Sequence, residues 1–248
     1  MRILIYLLLW ASIGANATSL ALYNFTTANL ESHLRHQEVV PIASVTKLFT
    51  AAAVLESDLN LDEKIKVQGK TSGRFNQGEM VSRRELLKAM LIASDNRAAD
   101  SLAHSYPGGY DAFIKYVNDY IGYVGLKNTE IVDASGIHSG NKSTAEDLVN
   151  FVWWLRKYPL IKEISSKAED QLEFDNKKHK TVTLKIRNTN PDISKYNILI
   201  SKTGFTNAAG RCLVMLIEKE KEMIGVVVLG FKNPKTRSDA IKQLINIS

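Results

Sequence analysis

The sequence predicts an α/β (α+β) fold, with an antiparallel sheet drawn from both chain ends and a helical lobe inserted between them. Three observations predict it. Strand-like segments come first, at residues 20–25 and 31–40. Segments with helical apolar spacing and capping signals dominate the middle, and three successive strand-like segments precede a last helix. A chain ordered in this way buries its apolar faces when the outer strands pair and helices cover them. Its 248 residues are 45% hydrophobic and 23% charged, an ordinary globular composition that supports one large domain or two joined lobes.

The first residues read differently from the rest. Met1-Arg2 precedes an apolar run at residues 3–13, and Ala15-Asn16-Ala17 follows. A basic start, a short apolar core and an A-x-A site mark a cleaved secretory signal. Residues 1–17 are therefore assigned to a signal peptide and residues 18–248 to the mature domain. The apolar run is short of the ~20 residues that a spanning helix needs. No later stretch is long enough either, so at most peripheral membrane contact is expected. Cys212 is the single cysteine, which excludes an internal disulfide, and its neighbours Leu213, Val214 and Met215 mark it as a core residue. Arg2 is the one charged residue of the signal, so its removal takes the net charge from +6 to +5. That mild basicity favours a polyanionic partner such as wall polymer or lipid headgroups. Nucleic acid is not expected, for no binding motif is present.

Taken in order, residues 20–25 and 31–40 form two strands joined by a polar turn. Pro41-Ile42-Ala43 leads into a helix opened by Ser44 and continuing to about Ser57. A short strand at residues 61–67 is followed by a loop with Gly69, Gly73 and Gly78. Ser82-Arg83-Arg84-Glu85 is a capping box, so a helix starts there and stops near Ser94-Asp95-Asn96. Helices are predicted over residues 97–104 and 110–120, separated by Pro107-Gly108-Gly109. Residues 125–142 read as loop, and Ser143-Thr144-Ala145-Glu146 as a second capping box. The helix it opens turns Leu148, Val149, Val152 and Leu155 inward, with Trp153 and Trp154 as core anchors. A short helix after Pro159 precedes a hairpin at residues 172–174 and 181–186, whose turn carries Lys177-Lys178-His179-Lys180. Strands at residues 197–201, 211–218 and 223–231 form an antiparallel meander, and Pro234 starts the last helix.

Against this frame, Ser44-Val45-Thr46-Lys47 is the first candidate for chemistry. A serine hydroxyl is a weak nucleophile without a base. On a helix, Lys47 lies one turn from Ser44 on the same face, and free N–H groups at the helix start can hold an oxyanion. The spacing alone is weak, for it recurs at Ser139-Gly140-Asn141-Lys142 in a loop with no apolar helix behind it. Ser94 and Asn96 at a helix-to-helix turn and Lys202-Thr203-Gly204 at the close of a strand each have a bland reading as well. In this order and on these elements they form the S-x-x-K, S-D-N and K-T-G set of serine acyltransferases.

With these motifs the sequence resembles the low-molecular-mass penicillin-binding proteins, the D-alanyl-D-alanine carboxypeptidases and endopeptidases. The resemblance extends through Asp133-Ala134-Ser135-Gly136-Ile137, Asn188-Thr189-Asn190-Pro191 and the run from Lys202 to Cys212, which is most similar to the endopeptidase branch. It implies a β-lactamase/transpeptidase-like fold and a periplasmic serine peptidase that hydrolyses D-alanyl bonds in peptidoglycan stem peptides. β-Lactam antibiotics would be its covalent inhibitors.

By the same resemblance Ser44 attacks, neutral Lys47 takes its proton, and Lys202 is the cation expected to lower the Lys47 pKa. Ser94 relays a proton to the leaving amine, while Asn96 holds substrate and Lys47. The N–H groups of Ser44 and Phe205 form the oxyanion hole. Gly204 admits the substrate backbone to the strand edge, and Thr203 with Arg237 binds a carboxylate; Arg211 is a lesser candidate for that last role. No metal and no cofactor are implied, because the histidines show no ligand spacing and no phosphate loop is present. A β-lactamase is the alternative within the same chemistry, with Glu146 and Asn150 as its superficial signature. Glu146 is expected instead to cap its helix, which predicts slow release of penicillin from Ser44. A penicillin-sensing wall-binding module is the alternative from a different class. The chain's end directly after the last helix is expected to favour a soluble or loosely bound enzyme.

Overall fold

Both chain ends contribute to one antiparallel sheet. The computed structural model describes residues 19–246, and the expected signal peptide lies outside the described residues. Ser19–Asn24 (β1) and Asn29–Leu34 (β2) form the first hairpin. Asn197–Thr206 (β9), Gly210–Lys219 (β10) and Glu222–Phe231 (β11) form the C-terminal meander. The order is β2-β1-β11-β10-β9, so β1 pairs with β11 and β9 is left as an edge.

Side chains alternate across this sheet and fill two cores. Leu20, Leu22, Leu213, Met215, Val226 and Val228 pack with Ile241, Leu244 and Ile245 of the last helix, Pro234–Ile245. Ala21, Val214, Leu216 and Val227 point to the other face and join the core of the helical lobe. Burial on both faces explains why residues 212–217 read as a continuous apolar run rather than an alternating one.

Lys47–Glu56 (α1) runs through the centre of the lobe. Its Ala51, Ala52 and Ala53 are fully buried, and small side chains on several faces let neighbouring helices close around it. Around it lie Arg83–Ile92 (α2), Asn96–His104 (α3), Gly109–Val124 (α4), Ala145–Trp154 (α5) and Pro159–Ser165 (α6). The lobe also carries a small sheet that the sequence showed only as fragments. Lys64–Lys66 (β4), Met80–Ser82 (β5), Glu169–Asp175 (β7) and Thr181–Arg187 (β8) pair in the order β4-β5-β7-β8.

Several boundaries differ from expectation, each for a local reason. The second strand ends at Leu34 because Arg35 takes a left-handed φ of 43°, and Val40–Pro41 (β3) instead pairs with Lys142–Ser143 (β6). Ser44 lies in a 3-10 turn, Ala43–Thr46, and the α-helix proper begins at Lys47. The first capping box stands, with Ser82 Oγ accepting from the Glu85 N–H at 3.2 Å. The second is displaced by one residue. Thr144 caps α5 by accepting from the Asp147 N–H at 3.0 Å, so Glu146 has no capping duty. Asp147 turns outward from the box to accept from Asn128 N–H and Thr129 Oγ1. Trp153 and Trp154 are only partly buried: Trp153 stacks on Phe25 at 4.3 Å, and Trp154 donates to Tyr120 at 2.8 Å.

Phe49 of α1 stacks on Phe151 of α5 at 4.0 Å, both wholly within the core. Phe151→Ala leaves a cavity there and is expected to destabilise the protein by about 3–5 kcal/mol, read as a lowered denaturation midpoint.

Candidate active site

The 3-10 turn that carries Ser44 is wedged between two glycines. Gly136 has a φ of 85°, and a Cβ there would lie 2.0 Å from the Ala43 carbonyl oxygen. A Cβ on Gly204 would lie 2.8 Å from the Ile42 carbonyl oxygen and 3.0 Å from the Ser44 nitrogen. Gly204 therefore admits the chain's own nucleophile segment to β9. This close approach adds a role within the chain to the one expected for Gly204 toward a substrate backbone.

Lys47 follows one turn later, with its side chain wholly buried. Its Nζ donates to Asn96 Oδ1 at 2.7 Å and to the Ser135 carbonyl, and lies 2.9 Å from Ser44 Oγ. Burial lowers its pKa to about 7, while the carboxylates of Asp133, Asp95 and Asp100 pull the other way. A neutral amine has two N–H bonds and one lone pair. With Asn96 and Ser135 taking the N–H bonds, the lone pair is directed at the Ser44 hydroxyl. That is the arrangement of a nucleophile with its base.

Lys202 is also buried, and its Nζ donates to Ser94 Oγ and to the Thr203 carbonyl, each at 2.9 Å. Its pKa is depressed by burial and then by the Lys47 cation. Burial, rather than Lys202, is thus the leading cause of the Lys47 shift, which amends the sequence expectation. Ser94 reaches this position from a left-handed backbone, φ 56°, an uncommon conformation that costs about 1–2 kcal/mol in a residue with a side chain. Asp95 secures the turn. Its carboxylate caps α3 through the Ala98 N–H at 2.9 Å and holds the Arg74 N–H at the loop opposite.

K-T-G lies inside β9, not at its end, because β9 continues to Thr206. Gly204 pairs with Cys212 and Thr203 with Leu213, so the other edge of β9 borders the site. Ser44, Ser94, Asn96, Thr203, Phe205 and Arg237 line one cleft of about 490 Å³, which Gly204 and Arg211 also border. Every residue expected from the sequence at this site is therefore brought together, with Lys47 and Lys202 buried in its floor. Ser139, the decoy, lines a different depression. Glu146 is not among the residues of the cleft; its N–H donates to the His36 carbonyl.

Two contributors escaped the candidate list. The Ser135 carbonyl orients Lys47, and its loop is pinned by Asp133, which accepts from the N–H groups of Ser135, Gly136 and His138. The Asp-x-x-Gly spacing was its available signal. Thr189 hydrogen bonds Thr203 through their hydroxyls at 2.5 Å and lines the cleft; its signal was the Asn188-Thr189-Asn190-Pro191 stretch of the family resemblance. Among the described residues no cluster of metal-ligating side chains occurs.

Comparison with known proteins agrees with this geometry. Residues 14–233 match the family described as D-alanyl-D-alanine carboxypeptidase. The chain belongs to this family. The D-alanyl-D-alanine endopeptidase of Escherichia coli is 43% identical over 204 residues, which is 78% of this chain and 65% of that protein. The Pseudomonas aeruginosa D-alanyl-D-alanine endopeptidase is 44% identical over 200 residues, 77% of this chain and 64% of the relative. The chain thus matches slightly under two thirds of these relatives' lengths. The crystal structure of the Streptomyces K15 DD-transpeptidase superposes with a TM-score of 0.87 at 25% identity, covering 94% of this chain and 96% of that one. Penicillin-binding protein D2 of Listeria monocytogenes, in its ampicillin-bound form, gives a TM-score of 0.81 at 26% identity, covering 93% and 96%. The family's β-lactamase/transpeptidase-like fold, expected from the motifs, is the fold observed.

Because the neutral Lys47 amine is the form that takes a proton, the reactivity of Ser44 toward an acylating probe should rise as pH rises through about 7 and then level off. The measurement is the acylation rate constant by rapid quench across the neutral range. Gly136→Ala forces a side chain into the Ala43 carbonyl and a left-handed backbone, so a loss of about 2–5 kcal/mol in stability is expected by denaturant titration, with slower acylation.

Proposed function

We propose that this protein is a serine DD-peptidase of bacterial peptidoglycan, acting on D-alanyl bonds of stem peptides through an acyl-enzyme at Ser44. The observation that carries the proposal is the buried, near-neutral Lys47 amine 2.9 Å from Ser44 Oγ. In this reading Lys47 takes the hydroxyl proton as Ser44 attacks the carbonyl. The N–H groups of Ser44 and Phe205, both at the cleft, receive the oxyanion, an effect worth on the order of 3 kcal/mol per donor. Ser94, held by Lys202, passes a proton to the leaving amine. The peptide lies along the open edge of β9 as an added strand. Thr203 and Arg237 receive the carboxylate beside the scissile bond.

The size of the site supports a peptide substrate. A larger depression of about 1020 Å³ reaches Ser135 from the side of Thr206 and Asn207, giving room for the acyl-donor chain. β-Lactams enter the same proposal as covalent inhibitors. Residues 1–17 support export to the periplasm, and among the described residues no helix is long and apolar enough to cross a membrane.

The position of Glu146 argues against a β-lactamase, since it supplies no base at the cleft that holds Ser44. A penicillin-binding module without peptidase action shares the acylation step and differs in its products. Incubation with cross-linked muropeptides is therefore the test. Cleavage is expected, with loss of at least 10³-fold in Ser44→Ala, in line with removal of an essential nucleophile. Full activity in that variant would end the mechanism, and unchanged muropeptides with penicillin labelling would favour the binding module. Release of hydrolysed penicillin should be slow, leaving a stable adduct at Ser44 by mass spectrometry.

A further inference from the structure

Two guanidiniums enter the leaving-group end of the cleft, although one carboxylate beside the scissile bond needs only one. Arg237 is 4% exposed, donates one N–H to the Cys212 carbonyl at 3.2 Å, and leaves its buried Nε without a partner. Arg211 lines the same cleft, and its Nε is likewise buried and unpartnered. Asp192, the carboxylate whose field reaches Arg237, is bonded instead to Lys195 and Ser238. Among the described residues neither guanidinium has an ion-pair partner. Burial depresses the Arg237 pKa, and the neighbouring Arg211 charge contributes in the same direction. Placing like charges together with orphaned donors is unfavourable unless an anion arrives.

Arg211 is also held in a particular pose. It stands opposite Phe205 in the β9–β10 pairing, and its guanidinium lies over the Phe205 ring at 4.4 Å. Phe205 is 51% exposed, so the pair forms a platform at the mouth of the cleft. Stacking occupies the face of a guanidinium and leaves its N–H edge open for a carboxylate.

We propose that Arg211 selects the leaving group, pairing with Arg237 to favour one that carries a second carboxylate over free D-alanine. The inference rests on the DD-peptidase reading and deepens it. The leaving group of a cross-link is a neighbouring stem peptide, which has a carboxylate beside the scissile amide and further acidic ends of its own. Free D-alanine has one carboxylate. Arg237, deep in the cleft, would take the carboxylate common to both. Arg211, at the mouth, would take the one that only the cross-linked substrate offers. No bond other than the scissile amide changes.

The test compares kcat/KM on a cross-linked tetrapeptide dimer and on a pentapeptide monomer for the same enzyme preparation. Taking the ratio cancels any common effect on Ser44 or Lys47. Arg211→Gln is expected to lower the dimer-to-monomer ratio roughly tenfold or more, the scale of a lost charge-assisted contact. Arg237→Gln should depress both substrates together. Arg211→Lys keeps the charge without the planar fork and should recover part of the ratio. Equal losses on both substrates in Arg211→Gln, or no change, would overturn the inference while leaving the peptidase reading intact. So would a loss that lysine does not recover at all, since it would assign the effect to packing on Phe205. A wild-type enzyme that cleaves monomers and not dimers would overturn it too. One that is acylated by penicillin and cleaves neither peptide would remove the peptidase reading as well as this inference.

Discussion

Burying the Lys47 amine is the constraint on which the active site depends. An ammonium ion in that position has to surrender its hydration, and the nearby carboxylates of Asp133, Asp95 and Asp100 compensate only in part. The outcome is an amine near neutrality at physiological pH, with Asn96 and Ser135 fixing where its lone pair points. The helical lobe exists around this requirement. α1 carries Lys47 through a core of alanines, α3 brings Asn96, and the pinned loop after Asp133 brings the Ser135 carbonyl. Loss of any one of these contacts would leave a buried polar atom unsatisfied, which is why the site is a property of the whole lobe and not of one motif.

The second constraint is backbone proximity. Ser44 is delivered by a 3-10 turn pressed between Gly136 on one side and Gly204 of β9 on the other. Ala43 and Ser94 both adopt left-handed φ values, 48° and 56°, on the two sides of the cleft. Conformations of this kind persist only where surrounding contacts over-determine them. Here the contacts are the β9 edge, the Asp133-centred loop and the Asp95 cap. Strain and close approach thus hold the Ser44 and Ser94 hydroxyls and an open strand edge within one cleft.

Charge is distributed along that cleft rather than over the molecule. A net charge of +6 says little about it. Lys202 sits beside Ser94, while Arg211 and Arg237 line the cleft with unmatched Nε–H groups. A second depression, which reaches Ser135, collects Asp100, Asp111 and Asp133 together with Lys70, His104 and His138. The two depressions therefore differ in electrostatics, the one at Ser44 bordered by two guanidiniums and the other by three carboxylates.

The sequence by itself determined the order of the elements, the sheet built from both chain ends, the central strands, the last helix and the motif residues. Those features are written in local apolar periodicity, capping residues and residue spacing, which need no knowledge of distant contacts. Shorter pieces were not legible. β5, which pairs with β4 and meets β7 only between Met80 and Asp175, was not marked as a strand, and the start of α5 passed from Ser143 to Thr144 because Ser143 is tied into β6. Tertiary structure alone decided that Gly204 serves the Ser44 turn, that burial outweighs Lys202 in neutralising Lys47, and that Thr189 and the Ser135 carbonyl join the site. The physical reason is common to all four. A desolvation energy, a close approach or a carbonyl's direction arises between segments far apart in the chain, and no residue type records it.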